Sequence, residues 1–407
     1  MPIITSKMSP VVATNYRWVM LGVYYLGSLA FGTTFQSIPA VLPLMIADLH
    51  LSYAEAGSLM SLFALLGVVL AIPIGLMVDR RHSERRIIIG AYVAMIVGTL
   101  VVASATSYAA LLIGRLIAGA GGFATSITIA RLISRWFTGK ELGVALGLFA
   151  TGMPLSSIVS LSLLGDFARN SGWPAAVRVG AMVAAVALLA LLLLYRQSPA
   201  SKASSFQPID GSPLPKKVIT VGLPVWLVGL VWFWFNASTL SFLTFGPAYF
   251  NDKGYSLGVA GFMTSVQMMA SLFLNPFIGH AIDRYRQPEL FMVAGASLIA
   301  TGITLIPTSG FPVLVPLAIL SVGTALIPTA VLYLGSKVVR PQDTGLAFGI
   351  INACLTASII VGPFLVGLAR DISGSYEIGF GFIAAFAVLC AATAGVLRIF
   401  TVRRLEG

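Results

Sequence analysis

Two stretches of the sequence repeat one order of residues: a glycine, three intervening residues, an aspartate and an arginine. They are Gly75, Asp79 and Arg80, and, 204 positions later, Gly279, Asp283 and Arg284. A glycine lets a neighbouring helix come close, an aspartate can face the positive N-terminal end of that helix, and arginines can bind acidic groups or backbone carbonyls. Contacts of this kind can form in one arrangement of helices and break in another.

The residues that catalysis or metal binding would need do not form a pattern. The three histidines, His50, His82 and His280, are scattered, and the two cysteines, Cys354 and Cys390, have neither metal-ligand nor disulfide spacing. We therefore expect no catalytic residue, no metal and no cofactor, and we do not expect an enzyme.

The composition indicates a membrane protein. Hydrophobic residues make up 57% of the 407 positions and charged residues 10%, against about 25% charged residues in an average soluble domain. Apolar runs long enough to cross a bilayer as helices, about 20 residues each, recur along the whole chain. They predict twelve spans, at 18–46, 54–78, 87–104, 108–134, 141–165, 175–195, 218–250, 257–281, 289–308, 311–336, 343–367 and 377–400.

The net charge of +11 could indicate a nucleic-acid partner, but the placement of the basic residues indicates membrane orientation instead. Of the 25 Lys and Arg residues, 20 fall on the side that holds both termini. The opposite side has Arg169, Arg178, Lys253 and Arg370. By the positive-inside rule this predicts a multi-pass protein of the inner (plasma) membrane with both termini in the cytoplasm and no nucleic-acid partner.

The chain is predicted to be a duplication. Residues 196–217 form one long polar stretch between residues 1–195 and 218–407. A shift of 204 aligns Gly57 with Gly261, and a shift of 202 aligns Gly143, Gly147 and Gly165 with Gly345, Gly349 and Gly367. A duplication of six spans gives two halves of the same orientation. We expect an all-α membrane protein with two pseudo-symmetric six-helix bundles joined by a cytoplasmic linker.

Twelve spans, a central linker and a Gly-x-x-x-Asp-Arg loop in each half resemble the major facilitator superfamily of secondary transporters. The resemblance implies that these loops are a conformational latch on the cytoplasmic side. The latch residues would be Gly75, Asp79, Arg80, Arg85, Gly279, Asp283 and Arg284. The first loop lacks the second glycine of the family pattern. The alternative is that its arginines only fix orientation and contact anionic lipid.

Arg115 is the one Lys or Arg residue predicted to lie well inside a span. A charge there costs at least ~2.5 kcal/mol on insertion scales, so it should face a polar interior. Its surroundings resemble the family pattern Arg-x-x-Gln-Gly, with Arg115 and Gly119 matching and Ala118 in place of Gln. The resemblance implies solute binding or proton coupling. The alternative is a structural role, with hydrogen bonds to carbonyls and hydroxyls of the first span.

Polar and aromatic residues within the spans outline a candidate binding site. In the superfamily, spans 1, 4, 7 and 10 line the central pathway. The first candidates are Gln36, Arg115, Trp232 and Asn236, and the others are Tyr25, Thr33, Gln267, Tyr333 and Asn352. Each of them taken alone is better explained by an interhelical hydrogen bond.

These observations predict a secondary transporter that moves a small organic solute by alternating access. One buried cation and no acidic residue near the middle of any span favour an anionic or neutral polar solute, such as a carboxylate. The alternative is a proton-coupled drug exporter. It is suggested by the aromatic run Trp232–Phe235 and by two stretches that resemble the Gly-Pro signature of proton-linked exporters. We expect a monomer in the lipid bilayer; the direction of transport and the coupling proton or ion stay open.

Overall fold

The computed structural model describes residues 10–78, 84–137, 140–196, 222–308, 310, 312–338 and 344–403. Within these residues every regular element is an α-helix. The helices are α1 Pro10–Leu49, α2 Tyr53–Val78, α3 Glu84–Ala103, α4 Tyr108–Trp136, α5 Lys140–Ser171, α6 Trp173–Leu194, α7 Leu223–Asp252, α8 Leu257–Tyr285, α9 Pro288–Thr308, α10 Leu314–Lys337, α11 Thr344–Ser373 and α12 Tyr376–Arg403. The prediction of twelve helices is confirmed.

Several helices are longer than their apolar stretches. The predicted spans five and eleven end at residues 165 and 367, whereas α5 continues to Ser171 and α11 to Ser373. A hydropathy pattern stops where polar residues begin, but the backbone hydrogen bonds of a helix continue through them. The added residues of α5 include Asp166, and those of α11 include Asp371.

The turns between helices confirm the duplication. His50 follows α1 with φ 50°, and Gly254 follows α7 with φ 91°, at the shift of 204 found in the sequence. Gly172 between α5 and α6 has φ 84°, and Gly374 between α11 and α12 has φ 68°, at the shift of 202. Positive φ is rare outside glycine, so the agreement of these turns shows that the two halves have the same backbone design.

Apolar side chains cover much of the outer surface. Ile372, Leu193 and Phe277 are 78%, 74% and 72% exposed, as expected for side chains that face lipid tails. Among the described residues, eleven helices contain an apolar stretch long enough to cross a membrane. The described side chains of α2 form a shorter apolar helix, Tyr53–Leu66. The protein is therefore a multi-pass membrane protein.

Odd-numbered helices run in one direction across the membrane and even-numbered helices return. We call the face at which α6 ends and α7 begins the linker face, and the opposite one the far face. Helices α1–α6 form the N-terminal bundle, in which α1 packs on α5 and α6, and α7–α12 form the C-terminal bundle, in which α7 packs on α11 and α12. Between the bundles, α2 packs on α11 and α5 on α8.

The hydrophobic core is continuous between the bundles only toward the far face. One large cluster joins residues of both bundles, including Leu161 from α5 and Phe245 from α7. Toward the linker face the N-terminal bundle has its own cluster around Tyr24. The C-terminal bundle has another around Val225. The two bundles therefore meet at one face and separate toward the other.

Candidate functional site

The far-face halves of α2 and α11 cross backbone to backbone. A side chain at Gly57 would collide with the carbonyl of Pro363, and one at Gly367 would collide with the carbonyl of Tyr53. One turn further in, the Ser61 hydroxyl donates to the carbonyl of Ile360 at 2.7 Å. Glycine is required at both crossing positions because any Cβ would separate the helices.

Helices α5 and α8 form a second seam of the same kind. A side chain at Gly261 would overlap the carbonyl of Leu161, and a Cβ at Gly165 would lie 2.9 Å from Leu257. These glycines are the repeat partners of the first pair, since the sequence aligns Gly57 with Gly261 and Gly165 with Gly367. The duplication therefore produced two matching seams that together close the far face.

Each seam is also held by a carboxylate from one bundle on a helix N-terminus of the other. Asp371 of α11 accepts hydrogen bonds from the backbone N–H groups of Tyr53 at 2.8 Å and Ala54 at 2.7 Å, where α2 begins. Asp166 of α5 accepts one from the N–H of Gly258 at 2.8 Å, where α8 begins. A negative charge at the first turn of a helix is stabilised by the unpaired N–H groups and the helix dipole.

Arg370, next to Asp371, adds a further contact between bundles. Its guanidinium carbon lies 5.0 Å from the ring centre of Tyr53 in α2 and 4.5 Å from that of Tyr376. A guanidinium nitrogen also lies 3.7 Å from Asp252 at the end of α7. The far face thus carries a charged latch built from α11 that holds α2 and α7.

At the linker face the same helices are apart. Gly147 precedes Gly165 by 18 residues, as Gly349 precedes Gly367, and 18 residues are five helical turns, so each pair lies on one helix face. Nevertheless no atom of another helix, in the part of the chain that the structure describes, lies within 4 Å of a Cβ built at Gly147 or Gly349, nor at Gly143. Small residues often mark close helix contacts, but these glycines make none in this structure, because α5 and α11 diverge from their partners toward the linker face.

The predicted cytoplasmic latch is only partly within the described residues. Asp79 and Arg80 lie outside them, and Gly75 belongs to α2. In the second copy, Asp283 and Arg284 are exposed, and Gly279 has Thr329 of α10 as its neighbour, 3.8 Å from a built Cβ. Arg85 is exposed and stacks on Tyr195 of its own bundle at 5.9 Å. A latching role for these residues stays a prediction.

Apart from Arg115, the candidates of the N-terminal bundle lie on α1. Tyr25 is half-buried and its hydroxyl is 3.3 Å from that of Thr151 in α5. Thr33 is nearly buried, and Gln36 is fully buried with its side-chain N–H donating to Ser157 at 2.9 Å. The sequence placed these residues on one helix, and the structure connects two of them to α5.

The candidates of the C-terminal bundle lie on four helices. Trp232 is half-buried and stacks on Phe235 at 5.2 Å, and Asn236 donates to the Trp232 carbonyl at 2.8 Å. Gln267 of α8 is fully buried and donates to the carbonyl of Thr239. Tyr333 is half-buried on α10, and Asn352 is exposed on α11. The hydrogen bonds of Tyr25, Gln36, Asn236, Gln267 and Asn352 all stay within their own bundles.

Arg115 lies inside the N-terminal bundle and is 1% exposed. Its Nε donates to the carbonyl of Leu59 at 3.0 Å and another guanidinium nitrogen donates to that of Thr34 at 3.2 Å. The guanidinium also lies 4.3 Å from the ring centre of Phe63. These contacts with α1 and α2 match the structural alternative and keep Arg115 apart from Trp232 and Asn352.

An aromatic cluster beside Arg115 was not found from the sequence. Phe31 and Phe35 of α1, Phe63 of α2 and Phe123 of α4 lie within 6.4 Å of one another, ring centre to ring centre, in five of their pairs. Phe31 and Phe123 are half-buried, whereas Phe35 and Phe63 are buried. In so apolar a chain, phenylalanines give no signal that separates a cluster of this kind from ordinary packing residues.

Comparison with known proteins gives one family. Sequence matches to the family described as Major Facilitator Superfamily cover residues 24–260 and 237–406. The human lysosomal dipeptide transporter MFSD1 is 21% identical over 288 residues, which cover 67% of this chain and 61% of that protein. The nitrite extrusion protein of Bacillus subtilis is 23% identical over 373 residues, 90% of this chain and 91% of that protein.

A solved structure shows the same fold. A bacterial homologue of the human lysosomal transporter Spinster, in an inward-facing and unoccupied conformation, superposes with a TM-score of 0.77. The superposition covers 96% of this chain and 97% of that one at 15% sequence identity. At such identity the likeness is one of fold.

Proposed function

We propose that this chain, which belongs to the Major Facilitator Superfamily, is a membrane transporter of small solutes. It would be a secondary active transporter that works by alternating access. The observation that carries the proposal is the asymmetry of the two faces. Repeat-related glycines close both seams at the far face, while Gly147 and Gly349 on the same helices face open space. Rocking the bundles would exchange the closed face and the open one.

We propose residues 1–195, 196–217 and 218–407 as N-terminal bundle, linker and C-terminal bundle, with the linker face and both termini in the cytoplasm of an inner (plasma) membrane. The excess of basic residues on the linker side supports this orientation. In that orientation the structure represents an inward-facing state. Its far-face latch is engaged through Asp166 and Asp371.

In the opposite state we propose that the linker face closes by the same means. Gly143, Gly147 and Gly349 would then pack against α8 and α2 as Gly165 and Gly367 do now. The Gly-x-x-x-Asp-Arg loops would form the cytoplasmic latch, and their exposed Asp283 and Arg284 are available for it. One repeated mechanism would thus serve both faces.

The candidate site residues that are not fully buried support a neutral polar or anionic solute. Tyr25, Trp232 and Asn352 offer aromatic surface and uncharged hydrogen-bonding groups. Within the described residues every Asp and Glu lies near a helix end, so nothing there would compensate a cationic solute in mid-membrane. The positive charge of Arg115 makes the electrostatic potential between the bundles more positive. The buried guanidinium does so without reaching the surface of the open space.

The aromatic cluster supports a second candidate, a proton-coupled drug exporter. Half-buried Phe31 and Phe123, with Trp232 from the other bundle, could bind a lipophilic drug through apolar and stacking contacts. The absence of an acidic group in mid-membrane within the described residues speaks against cationic drugs. It does not separate a neutral drug from a neutral metabolite.

Transport by purified protein in liposomes tests the proposal. The panel consists of L-tartrate, L-alanyl-L-alanine and nitrite, with tetraphenylphosphonium as the lipophilic cation, each measured with and without a proton gradient. Because tetraphenylphosphonium also crosses bare lipid, each uptake is compared with that of protein-free liposomes. We expect the protein to increase accumulation of at least one of the first three solutes and not that of tetraphenylphosphonium. Accumulation of tetraphenylphosphonium alone would establish the drug exporter, and leakage of all four at equal rates would contradict carrier-type transport.

A further inference from the structure

Two exposed arginines lie next to each other on the linker face of the N-terminal bundle. Arg85 and Arg86 belong to the first turn of α3. The guanidinium of Arg85 stacks on the ring of Tyr195, at the end of α6, with 5.9 Å between the guanidinium carbon and the ring centre. Stacking uses the flat face of a guanidinium, so the N–H groups around its edge can still bind a phosphate.

The end of α6 carries a third arginine. Arg196 follows Tyr195 directly, and its guanidinium stacks on Tyr16 of α1 at 4.3 Å. The hydroxyl of Tyr16 donates to the carbonyl of Leu194 at 2.6 Å, so this ring is held against the last turn of α6. The three arginines therefore lie where α3 and α6 reach the linker face.

The acidic residues described on this face pair with other arginines. In the part of the N-terminal bundle that the structure describes, the carboxylates of the linker face are Glu84 and Glu141. Glu84 forms an ion pair with Arg135, and Glu141 forms one with Arg17. The arginines at the ends of α3 and α6 are thus in excess over the described acidic groups, and the face is suited to an anionic partner.

The C-terminal bundle has different residues at the positions of the arginine pair. Gly98 of α3 packs against the backbone of α4, and Gly302 of α9 packs against that of α10, so the shift of 204 holds for α3 and α9. It places Glu289 and Leu290 where α3 has its two arginines. The repeated fold therefore does not require the arginine pair, which is a feature of the N-terminal bundle alone.

An apolar surface lies directly beside the arginines, on the membrane side. Helices α3 and α6 pack on each other, and both expose apolar side chains, Val93 on α3 and Leu189 and Leu193 on α6. Gly90 lies one turn from Arg86 on the same side of α3. No described atom of another helix lies within 4 Å of a Cβ built on this glycine, so it leaves a gap in the apolar surface.

A phospholipid matches this order of positive charge and apolar surface. Arginine binds phosphate oxygens through parallel N–H groups, and basic residues at the cytoplasmic ends of membrane helices attract anionic lipids. We propose that an anionic phospholipid binds on the outer surface of the N-terminal bundle. Its phosphate contacts Arg85 and Arg86, and an acyl chain lies in the gap at Gly90, beside Leu193. The site faces the lipid and not the space between the bundles, so the inference goes beyond the proposed function and holds whichever solute is transported.

The test measures lipid binding as thermal stabilisation of the purified full-length protein in detergent. The probes are dioctanoylphosphatidylglycerol, which is anionic, dioctanoylphosphatidylcholine, which has the same chains and phosphate but no net charge, and glycerol 3-phosphate, which has no chains. The variant R85Q/R86Q removes both charges. R169Q/R178Q is the matched control, because it removes two exposed arginines of the same bundle that lie toward the far face.

We expect phosphatidylglycerol to raise the Tm of the wild type and of R169Q/R178Q alike, and to bind at least tenfold more weakly to R85Q/R86Q. R85K/R86K keeps both charges and should bind within threefold of the wild type. Phosphatidylcholine should bind the wild type at least fivefold more weakly than phosphatidylglycerol, a comparison that needs no variant.

Three results would overturn the inference. The first is equal binding of phosphatidylglycerol by R85Q/R86Q and R169Q/R178Q, and the second is equal binding of the two lipids by the wild type. The third is stabilisation by glycerol 3-phosphate as large as that by phosphatidylglycerol, which would indicate a site for soluble phosphates instead of a lipid.

Discussion

The carboxylate of Asp371 in the C-terminal bundle caps the first turn of α2 in the N-terminal bundle, where Tyr53 donates its backbone N–H at 2.8 Å. Asp166 makes the reciprocal contact with the start of α8. Two carboxylates thus hold the far face from both sides. Both carboxylates are exposed, outside the apolar core. Because water can replace each of their hydrogen bonds there, the contacts between the bundles can break as well as form.

Neutralising both carboxylates should shift the protein toward opening at the far face. In the variant D166N/D371N each cap loses its charge, a change of about 1 kcal/mol per helix N-terminus, which corresponds to roughly a fivefold change in population for each contact. We expect faster labelling from the far face of a cysteine placed at Ser265, in a background without Cys354 and Cys390. The measurement is modification by a membrane-impermeant maleimide.

E377Q is the control for this experiment. Glu377 is an exposed carboxylate in the first turn of α12, near the same face. Its neutralisation should leave the labelling rate unchanged. Equal acceleration by E377Q would mean that surface charge in general, and not the two caps, sets the accessibility.

A large side chain at the seam glycines should block one state and spare the other. Gly261→Leu cannot fit against the Leu161 carbonyl and should hold the far face open. Gly147→Leu has space in this structure but should prevent closure of the linker face. Both variants should lose at least tenfold in transport rate, with opposite changes in cysteine accessibility at the two faces.

Gly381→Leu is the matched control for both glycine variants. Gly381 is exposed on α12 and no atom lies within 4 Å of a Cβ built on it. It should transport like the wild type. Normal transport by Gly261→Leu would show that the far-face seam does not need to close.

Replacing Arg115 by lysine should affect stability more than solute binding. Lysine keeps the charge but cannot reproduce the two directed contacts with the carbonyls of Leu59 and Thr34. We expect a loss of about 1–3 kcal/mol in stability, as for hydrogen bonds of charged groups, measured as a lower Tm in detergent. Solute affinity should stay within twofold; a tenfold weaker affinity at unchanged Tm would instead show direct solute contact.

The turn at Gly172 should not tolerate alanine. With φ at 84° and ψ at 151° the backbone lies in a region that is essentially restricted to glycine, where a side chain costs about 1–3 kcal/mol, so Gly172→Ala should lower the Tm. Gly90→Ala is the control, since Gly90 is an exposed helical glycine with open space around it and alanine favours helix there. A Tm of Gly172→Ala equal to that of Gly90→Ala would refute the requirement for glycine.

Local patterns were enough for the prediction of the fold. Twelve apolar runs predicted twelve helices, and the shifts of 204 and 202 predicted the repeat that the turns at Gly172 and Gly374 confirm. Those properties depend on hydropathy and backbone conformation, which each segment carries by itself. The candidate site was harder, because a polar residue inside a span can face a cavity or a neighbouring helix with the same sequence pattern.

The sequence by itself thus determined that this protein is a membrane-spanning duplication and which glycines correspond in its halves. The tertiary structure decided which of those glycines are in contact, that Asp166 and Asp371 hold the far face, and that Arg115 is enclosed within one bundle. The physical reason is that these contacts join residues far apart in the chain, on helices whose relative tilt is set by tertiary packing. A pattern of residue types along one helix carries no information on that tilt.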